Sequence, residues 1–392
     1  MEFRFRWIAL ILYAISPILV HGAELGRPDH QSLLIVLMLI GVCAEWTLQD
    51  HRSQNWSLVS GTAWALSFWV SLYEPLILLG VLLLFALTKD RHLLLQSHRR
   101  IGWLVFGALI ATAFLIERRV PSLSIFRADL LFKNWSRTIG ELAHISLFNR
   151  IWVVWAGYLI LIAPVLIWIS VRRRTAPPTF VLILLVTTFL LTLWQARWGY
   201  FFLLIFAISL PTLLTSINSR AAPWIAFALS MFPIAQFWDA RIWPNESELA
   251  ARIQRRNESG ELRELALSIR SKEKNPFLAP WWLSPSLAYW SGQPAVAGSS
   301  HEALDGIADS AHFFLTNDPQ IGREILKKRR IAWVFAYDSD RVVGNSADLF
   351  GSTVSERPLG RVLDRTPTHA PAYLVLSGQN GAAKLFRFVD KL

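Results

Sequence analysis

Cysteine is almost absent from this 392-residue chain. Cys43 stands alone, so no disulfide can form within the chain and cysteine usage says nothing of redox compartment. Charge is also scarce: Asp, Glu, Lys and Arg make up 17% of residues, against 53% hydrophobic. A soluble domain of this length is rarely so apolar. No zinc-ligand spacing, Walker loop, G-x-S-x-G or G-x-G-x-x-G stands out, which removes the strongest sequence signals for those chemistries. Internal repeats and low-complexity tracts are missing too. Methionine is rare, with 3 residues, whereas tryptophan is abundant, with 19. Tryptophan is favoured where water meets lipid, because its ring is amphipathic. The net charge of +11 would raise nucleic acid as a partner in a soluble protein. Here the Arg residues cluster between apolar runs, so membrane orientation is the simpler cause and no nucleic-acid partner is expected.

The apolar runs predict about nine spans, on the roughly 17–25 residues a bilayer requires. They fall at 5–22, 32–48, 56–72, 74–88, 101–117, 151–171, 179–195, 200–216 and 222–238. The third and fourth are nearly continuous and read as one bent hairpin around Pro75. The first, after "MEFRFR" and before "HGA", also fits a secretory signal peptide. Basic clusters set the orientation: Arg4 and Arg6, the 88–100 segment with Lys89, Arg91, Arg99 and Arg100, and Arg172 to Arg174. Short loops rich in Lys and Arg stay cytoplasmic, and nine spans put these three segments on one side. The external side then receives the 21–31 loop, the Tyr73–Pro75 turn, the basic 118–150 loop, "QARWGY" and the C-terminal part. Basic short loops and the lack of disulfides fit a bacterial inner membrane.

The expected architecture is thus an α-helical polytopic membrane domain over 1–240, followed by a small external α/β soluble domain over 241–392. In the latter, Leu249, Ile253, Leu262, Leu265 and Ile269 are spaced for one apolar helix face. "PAVAGSS", "IAWVFAYD", "AYLVLS" and "LFRFV" read as strands. "SHEALDGIADSAHFF" and "NDPQIGREILKKRR" read as helices, the second capped by Asn317 or Asp318 with Pro319 in its first turn.

Four places on the external side carry candidate chemistry. After the first span, Glu24, Asp29, His30 and Gln31 offer ligands for a hard divalent cation. The plainer reading is a solvated loop, with Asp29 favourably near a helix N-terminus. In "NWSRTIGELAHIS", Asn134 or Ser136 can cap a helix, and Thr138 with Glu141 has capping-box spacing. Arg197 lies among Trp194, Trp198 and Tyr200, as a snorkelling interfacial Arg does; its planar fork also suits phosphate. Trp281, Trp282, Tyr289 and Trp290 crowd among prolines, either seating the domain on the membrane or lining a cleft, with His301 and Glu302 nearby. His312 reads as an ordinary surface or core histidine.

The order of these pieces resembles the catalytic subunit of oligosaccharyltransferases, membrane glycosyltransferases of the GT-C fold. "RPDHQ" is similar to that family's acidic metal motif, "TIGE" to its Thr-Ile-x-Glu motif, and Trp281-Trp282 to the start of its Trp-Trp-Asp motif. The resemblance implies a divalent metal, Mg or Mn, on Asp29 and Gln31. It implies Arg197 at the donor phosphate, and Thr138 and Glu141 at the acceptor. It also implies Trp281 and Trp282 in the acceptor cleft. The partners implied are a bilayer, a lipid-linked sugar donor of polyprenyl-phosphate type, and a protein or glycan acceptor. Leu283 stands where the family has Asp and cannot accept an acceptor hydroxyl's hydrogen bond, so an acceptor other than Asn-x-Ser/Thr is expected. The family's first two spans and first external loop have no counterpart, which implies an upstream start, a partner chain supplying those elements, or an incomplete relative. A second class, a non-catalytic membrane scaffold or glycolipid-binding protein, fits the spans without an intact metal site.

Overall fold

A computed structural model describes residues 5–22, 30–90, 96–118, 130–299 and 303–390. The chain divides into two compact units. One comprises Met1–Pro121 with Glu141–Trp243, the other Ser122–Gly140 with Pro244–Leu392.

The first unit is helical: α1 (Arg6–Ile15), α2 (Pro17–His21), α3 (Gln31–Asp50), α4 (Gln54–Val70), α5 (Tyr73–Asp90) and α6 (Arg100–Glu117) come first. α7 (Leu130–Thr138) belongs to the second unit. Then follow α8 (Ile151–Ala156), α9 (Leu159–Arg172), α10 (Thr179–Trp194), α11 (Gly199–Leu214), α12 (Ala222–Ser230) and α13 (Phe232–Ile242). Every apolar run of the sequence is helical, but three of them are broken. Pro17 has no amide to donate, and Ser16 before it is extended, with its Oγ donating to the Trp155 carbonyl at 2.8 Å. Gly157, at φ +74°, separates α8 from α9. A Cβ there would lie 2.5 Å from Met231 Cε, so glycine is required on both counts. The Ser230 hydroxyl accepts the Leu159 amide at 2.7 Å. The break in 151–172 therefore meets the break in 222–242.

Among the described residues, three helices are long and apolar enough to cross a membrane: Gln31–Asp50, Ser97–Glu117 and Ala196–Leu214. Arg6–Ile15, Leu159–Arg172 and Thr179–Trp194 are shorter apolar helices. The expectation of about nine spans thus stands only as helical segments, because the breaks leave short pieces. The bent hairpin around Pro75 is instead two helices, α4 and α5, parted by Ser71 in extended backbone.

α11 forms the centre. It is apolar all round, and Phe201, Leu203, Phe206, Leu210 and Leu213 are wholly buried, as expected of a helix with no polar face. Thr188, Thr192 and Ser209 are buried too, and each hydroxyl donates to the carbonyl four residues back, which meets its hydrogen-bonding need. α4 and α6 touch backbone to backbone: a Cβ on Gly61 would lie 2.1 Å from the Gly102 carbonyl oxygen. Small residues permit such approach.

The second unit packs α7, α14 (Glu246–Ser268), α15 (Ser284–Ser291), α16 (Leu304–Leu315), α17 (Pro319–Lys328), α18 (Ser339–Phe350) and α19 (Leu359–Arg365) around a four-stranded sheet. Its strands are β1 (Phe277–Leu278), β2 (Trp333–Ala336), β3 (Leu374–Asn380) and β4 (Ala383–Phe388), in the order β1-β2-β4-β3. β1 runs parallel to β2 and the other pairs are antiparallel. "PAVAGSS" gives only a single bridge, Ala295 to Phe277. Asp318, not Asn317, caps α17, accepting the Gln320 amide at 2.8 Å. Only part of the predicted helix face is covered. Leu262, Leu265 and Ile269 are buried beside Phe335 and Leu385, whereas Leu249 and Ile253 are 48% and 53% exposed. α14 outruns the sheet, and its N-terminal half finds nothing there to pack on.

One expected cap is absent. Thr138 ends a helix instead of starting one, and its Oγ1 donates to the Trp135 carbonyl at 2.7 Å. Asn134 caps nothing either: its Nδ2 donates to the Leu349 carbonyl at 3.1 Å and fastens α7 to α18.

Candidate functional site

The clearest site in the first unit forms around Arg197. Gln195 is extended and ends α10; a single tight turn, Ala196–Trp198, then leads into α11. Trp198 is fully buried, with its ring 5.6 Å from that of Tyr73 and 5.7 Å from that of Phe201. Gly199 follows because a Cβ there would lie 2.5 Å from Trp155. The two residues after Arg197 are thus fixed by packing, and the guanidinium is aimed by the chain rather than left to snorkel.

Its Nη2 donates to Oε1 of Glu74, and the guanidinium carbon lies 5.7 Å from the Tyr73 ring centre. Glu74 is fully buried and also accepts from Ser71 Oγ at 2.5 Å through Oε2. The Arg197 side chain retains 21% exposure, while its Nε is buried and has no hydrogen-bond partner. A buried carboxylate is tolerated only with such pairing. The guanidinium therefore has one edge held by Glu74 and further donor capacity unused, which suits an anionic ligand.

A second predicted residue is drawn toward this turn. The Ala196 amide donates to the Ala143 carbonyl at 2.9 Å, and the Ile145 amide to the Leu193 carbonyl at 3.2 Å. These bonds join the segment after Glu141 to the segment before Arg197. Glu141 itself is half-buried in the turn Gly140–Leu142. Gln31 is the first residue of α3, buried, and α3 packs against α11. Asp29 and Glu24 lie outside the described residues, as do His301 and Glu302. Among the described residues, no three His, Cys, Asp or Glu side chains gather as a metal site. One carboxylate and one amide oxygen are nevertheless a donor set that fits Mg-type ions, which take their remaining ligands from water and substrate phosphate.

The other predicted residues belong to the second unit. Thr138 is exposed there. Trp281 and Trp282 occupy the turn between β1 and α15, edge to face at 5.5 Å. The Trp282 ring stacks under Arg341, 5.4 Å from its guanidinium carbon, and its Nε1 is buried without a partner. Leu283 is half-buried and packs against the core cluster that contains Phe277 and Leu287, so at this position the side chain is structural. His312 is exposed, edge-on to Phe350.

Glu74 escaped the sequence reading as a partner of Arg197. A signal for it existed: Ser71-x-x-Glu74 ahead of an apolar run is the capping-box pattern. Here the serine hydroxyl meets the carboxylate itself. Arg341 escaped as well, and only its N-cap, Asp338, accepting the Arg341 amide at 3.3 Å, hints at its fixed position.

No protein-family model matches the sequence, and no curated protein matches it. Solved structures do. An oligosaccharyltransferase from Archaeoglobus fulgidus, crystallised with a tethered acceptor peptide containing the NVT sequon, aligns with 98% of this chain at TM-score 0.58 and 13% identity. The oligosaccharyltransferase AglB of Archaeoglobus fulgidus, in complex with an inhibitory peptide and a dolichol-phosphate, aligns with 84% at TM-score 0.56 and 15% identity. This chain spans 59% and 54% of their respective lengths. At such identities the likeness is one of architecture, and by it the chain has an oligosaccharyltransferase-like GT-C fold.

Proposed function

We propose that this protein is an integral membrane glycosyltransferase that moves a sugar or glycan from a polyprenyl-phosphate-type carrier to an acceptor. In this reading the membrane is a bacterial inner membrane and the C-terminal unit lies on its external side. The observation that carries the proposal is the arginine turn: Arg197, 21% exposed and with its Nε unpaired, in a turn tied through backbone hydrogen bonds to the segment of Glu141. The shared fold supports it.

In the reaction the bond between the sugar's anomeric carbon and the phosphate oxygen breaks, and the acceptor's nucleophile bonds to that carbon. Negative charge grows on the departing phosphate. Arg197 is a preorganised cation for that charge, held by Glu74 so that little reorientation is needed as the charge develops. Glu141 orients the acceptor and receives hydrogen bonds from it. Thr138, Trp281 and Trp282 contribute to acceptor binding, Trp281 and Trp282 through aromatic surface. Asp29 and Gln31 are the residues that would hold Mg or Mn, whose charge would further stabilise the leaving phosphate. Leu283 offers no acceptor for a hydroxyl, which favours acceptors other than an Asn-x-Ser/Thr peptide.

The test is turnover of a synthetic polyprenyl-diphosphate sugar by the purified full chain in lipid vesicles, with Mg or Mn supplied. Asp29→Ala and the paired variant Arg197→Met/Glu74→Gln are expected to stay folded and to lose transfer. Normal turnover by both would sink the assignment. Metal-dependent donor binding without any turnover would instead favour the glycolipid-binding scaffold.

A further inference from the structure

A second polar feature of the helical unit lies far from Arg197 and is used by none of the chemistry above. α3, α4, α5 and α6 converge on a cavity of about 470 Å³. At its inner wall Arg99 Nη1 grips both oxygens of Glu45, at 3.1 and 2.8 Å, and Ser60 Oγ donates to the same carboxylate at 2.6 Å. Arg52 and Lys89 also line it, and both are exposed. Lys89 has no carboxylate partner among the described residues; its ammonium lies 5.5 Å from the Phe85 ring centre. Among the described residues, three cations stand against one carboxylate, which makes that part of the lining positive. The remaining wall is mixed, with Gln49, Ser57 and Gln96 beside apolar residues that include Leu82 and Phe106. Glu74 and Lys89 sit fifteen residues apart on α5, so the cationic end of the cavity, at Lys89, lies about 22 Å along the helix from the arginine turn, while the lining reaches back to Leu79. In the topology expected from the sequence, that end is on the cytoplasmic side, opposite the arginine turn.

We propose that this cavity binds an anionic phospholipid, with the phosphate between Lys89 and Arg52 and an acyl chain along Leu82 and Phe106. Three features favour a lipid over free phosphate. The volume is in the range of sites for whole organic ligands. Leu79, Leu82, Phe85 and Phe106 give the wall a hydrocarbon stretch, which a hydrated phosphate cannot use. The cations stand at a leaflet boundary, where basic residues meet anionic headgroups. Arg99 is not the recognition group, because Glu45 and Ser60 already complete its network. The Arg99–Glu45 pair instead braces the inner wall, and the backbone contact of Gly61 with Gly102 keeps α4 and α6 close behind it.

The full chain, purified in a neutral detergent, would be incubated with phosphatidylglycerol, phosphatidylcholine or inorganic phosphate and the bound lipid counted by native mass spectrometry. One phosphatidylglycerol is expected to remain bound where phosphatidylcholine is lost. The pair Lys89→Gln/Arg52→Gln, both surface changes, should weaken retention roughly thirtyfold, the scale of two basic residues at an anionic leaflet. Leu82→Asp should abolish retention with the cations intact. Equal retention of the two lipids would overturn the proposal, as would unchanged retention by the glutamine pair. Complete displacement of the lipid by millimolar inorganic phosphate would overturn it in favour of a free-phosphate site. None of these outcomes depends on glycosyl transfer.

Discussion

Arg197→Ala is expected to injure stability more than a surface arginine would, because of what it leaves behind. Glu74 is wholly buried, and without the guanidinium its one remaining hydrogen-bond partner among the described residues is the Ser71 hydroxyl. Removing one member of a buried ion pair costs about 3–5 kcal/mol, since the other charge is stranded. Glu74→Gln strands less: Arg197 keeps 21% exposure and can turn toward water, so a cost of about 1–2 kcal/mol is expected, that of a lost charge-assisted bond. The double variant Arg197→Met/Glu74→Gln removes both charges and keeps similar volume, and replacements of that kind are nearly neutral, within about 1 kcal/mol. With Arg197→Met as the matching single variant, which strands Glu74 in the same way, the three values do not add, and the shortfall is a coupling energy of about 3 kcal/mol or more. Unfolding in detergent, followed by tryptophan fluorescence, measures each variant against wild type. If Arg197→Ala cost less than about 0.5 kcal/mol, or if the double variant cost the sum of the singles, the pair would not be the buried latch described above. The double variant also separates folding from chemistry, since it is predicted to be stable and yet unable to grip the donor phosphate.

Three further outcomes follow from particular contacts. Gly61→Ala places a methyl 2.1 Å from the Gly102 carbonyl oxygen, whereas Gly80→Ala meets nothing within 4 Å; the first should lower stability by about 1–3 kcal/mol and the second should leave it unchanged or raise it by up to about 1 kcal/mol, as read by unfolding in detergent. Asn134→Ala leaves the Leu349 carbonyl without its partner, at a cost of about 1–3 kcal/mol, and limited proteolysis should then cut within 130–138 sooner than in wild type. Asp364 gives a pH dependence: burial pushes its carboxyl up, but the Ser339 amide and the Lys384 ammonium more than offset this and hold it below the ordinary value of 3.8. A depressed carboxyl contributes stability above its unfolded value and loses it as pH falls through the folded one, so amide exchange in 333–388 should accelerate below about pH 3.8, and Asp364→Asn should lose that acid-side step while being less stable at neutral pH.

The helical unit was legible in the sequence because bilayer length and apolar runs are strong signals. The ends of α3, α4, α5, α6, α10 and α11 fall within about two residues of the runs read from composition. The breaks were not legible as breaks. Pro17 and Gly157 were visible, but what fixes Gly157 is Met231 and Ser230 across the unit, contacts that no local pattern contains. In the second unit, β2 and the β3–β4 hairpin carry alternating or β-branched residues and were found. β1 is two residues long and exists because Trp333 and Val334 pair with it, and α18, at "SDRVVGNSADLF", hides behind low apolar content. The site divides in the same way. Residue type and setting single out Arg197 as a candidate, and a motif singles out Glu141. That residues beside them, Ala196 with Ala143 and Leu193 with Ile145, share a pair of backbone hydrogen bonds, and that Glu74 holds the arginine, are consequences of long-range packing. Thr138 was misplaced for the opposite reason: a local capping pattern matched, and tertiary docking of α7 through Asn134 decided the helix end instead.

α7 has a consequence for how the chain can be divided. It is made more than a hundred residues before the rest of its unit, yet Trp135 is buried there and Asn134 is bonded to Leu349. The chain enters the second unit, leaves it for the helices of 141–243, and returns. A cut at Pro244 is therefore not a clean separation. The fragment from Pro244 onward would show the bare seat of Trp135 to solvent and would be prone to self-association, while addition of a 122–140 peptide should restore solubility by filling that seat. During synthesis the same arrangement leaves α7 waiting unpartnered until α18 emerges, so the nascent chain carries an exposed tryptophan-bearing helix for the whole time that 141–338 is being made.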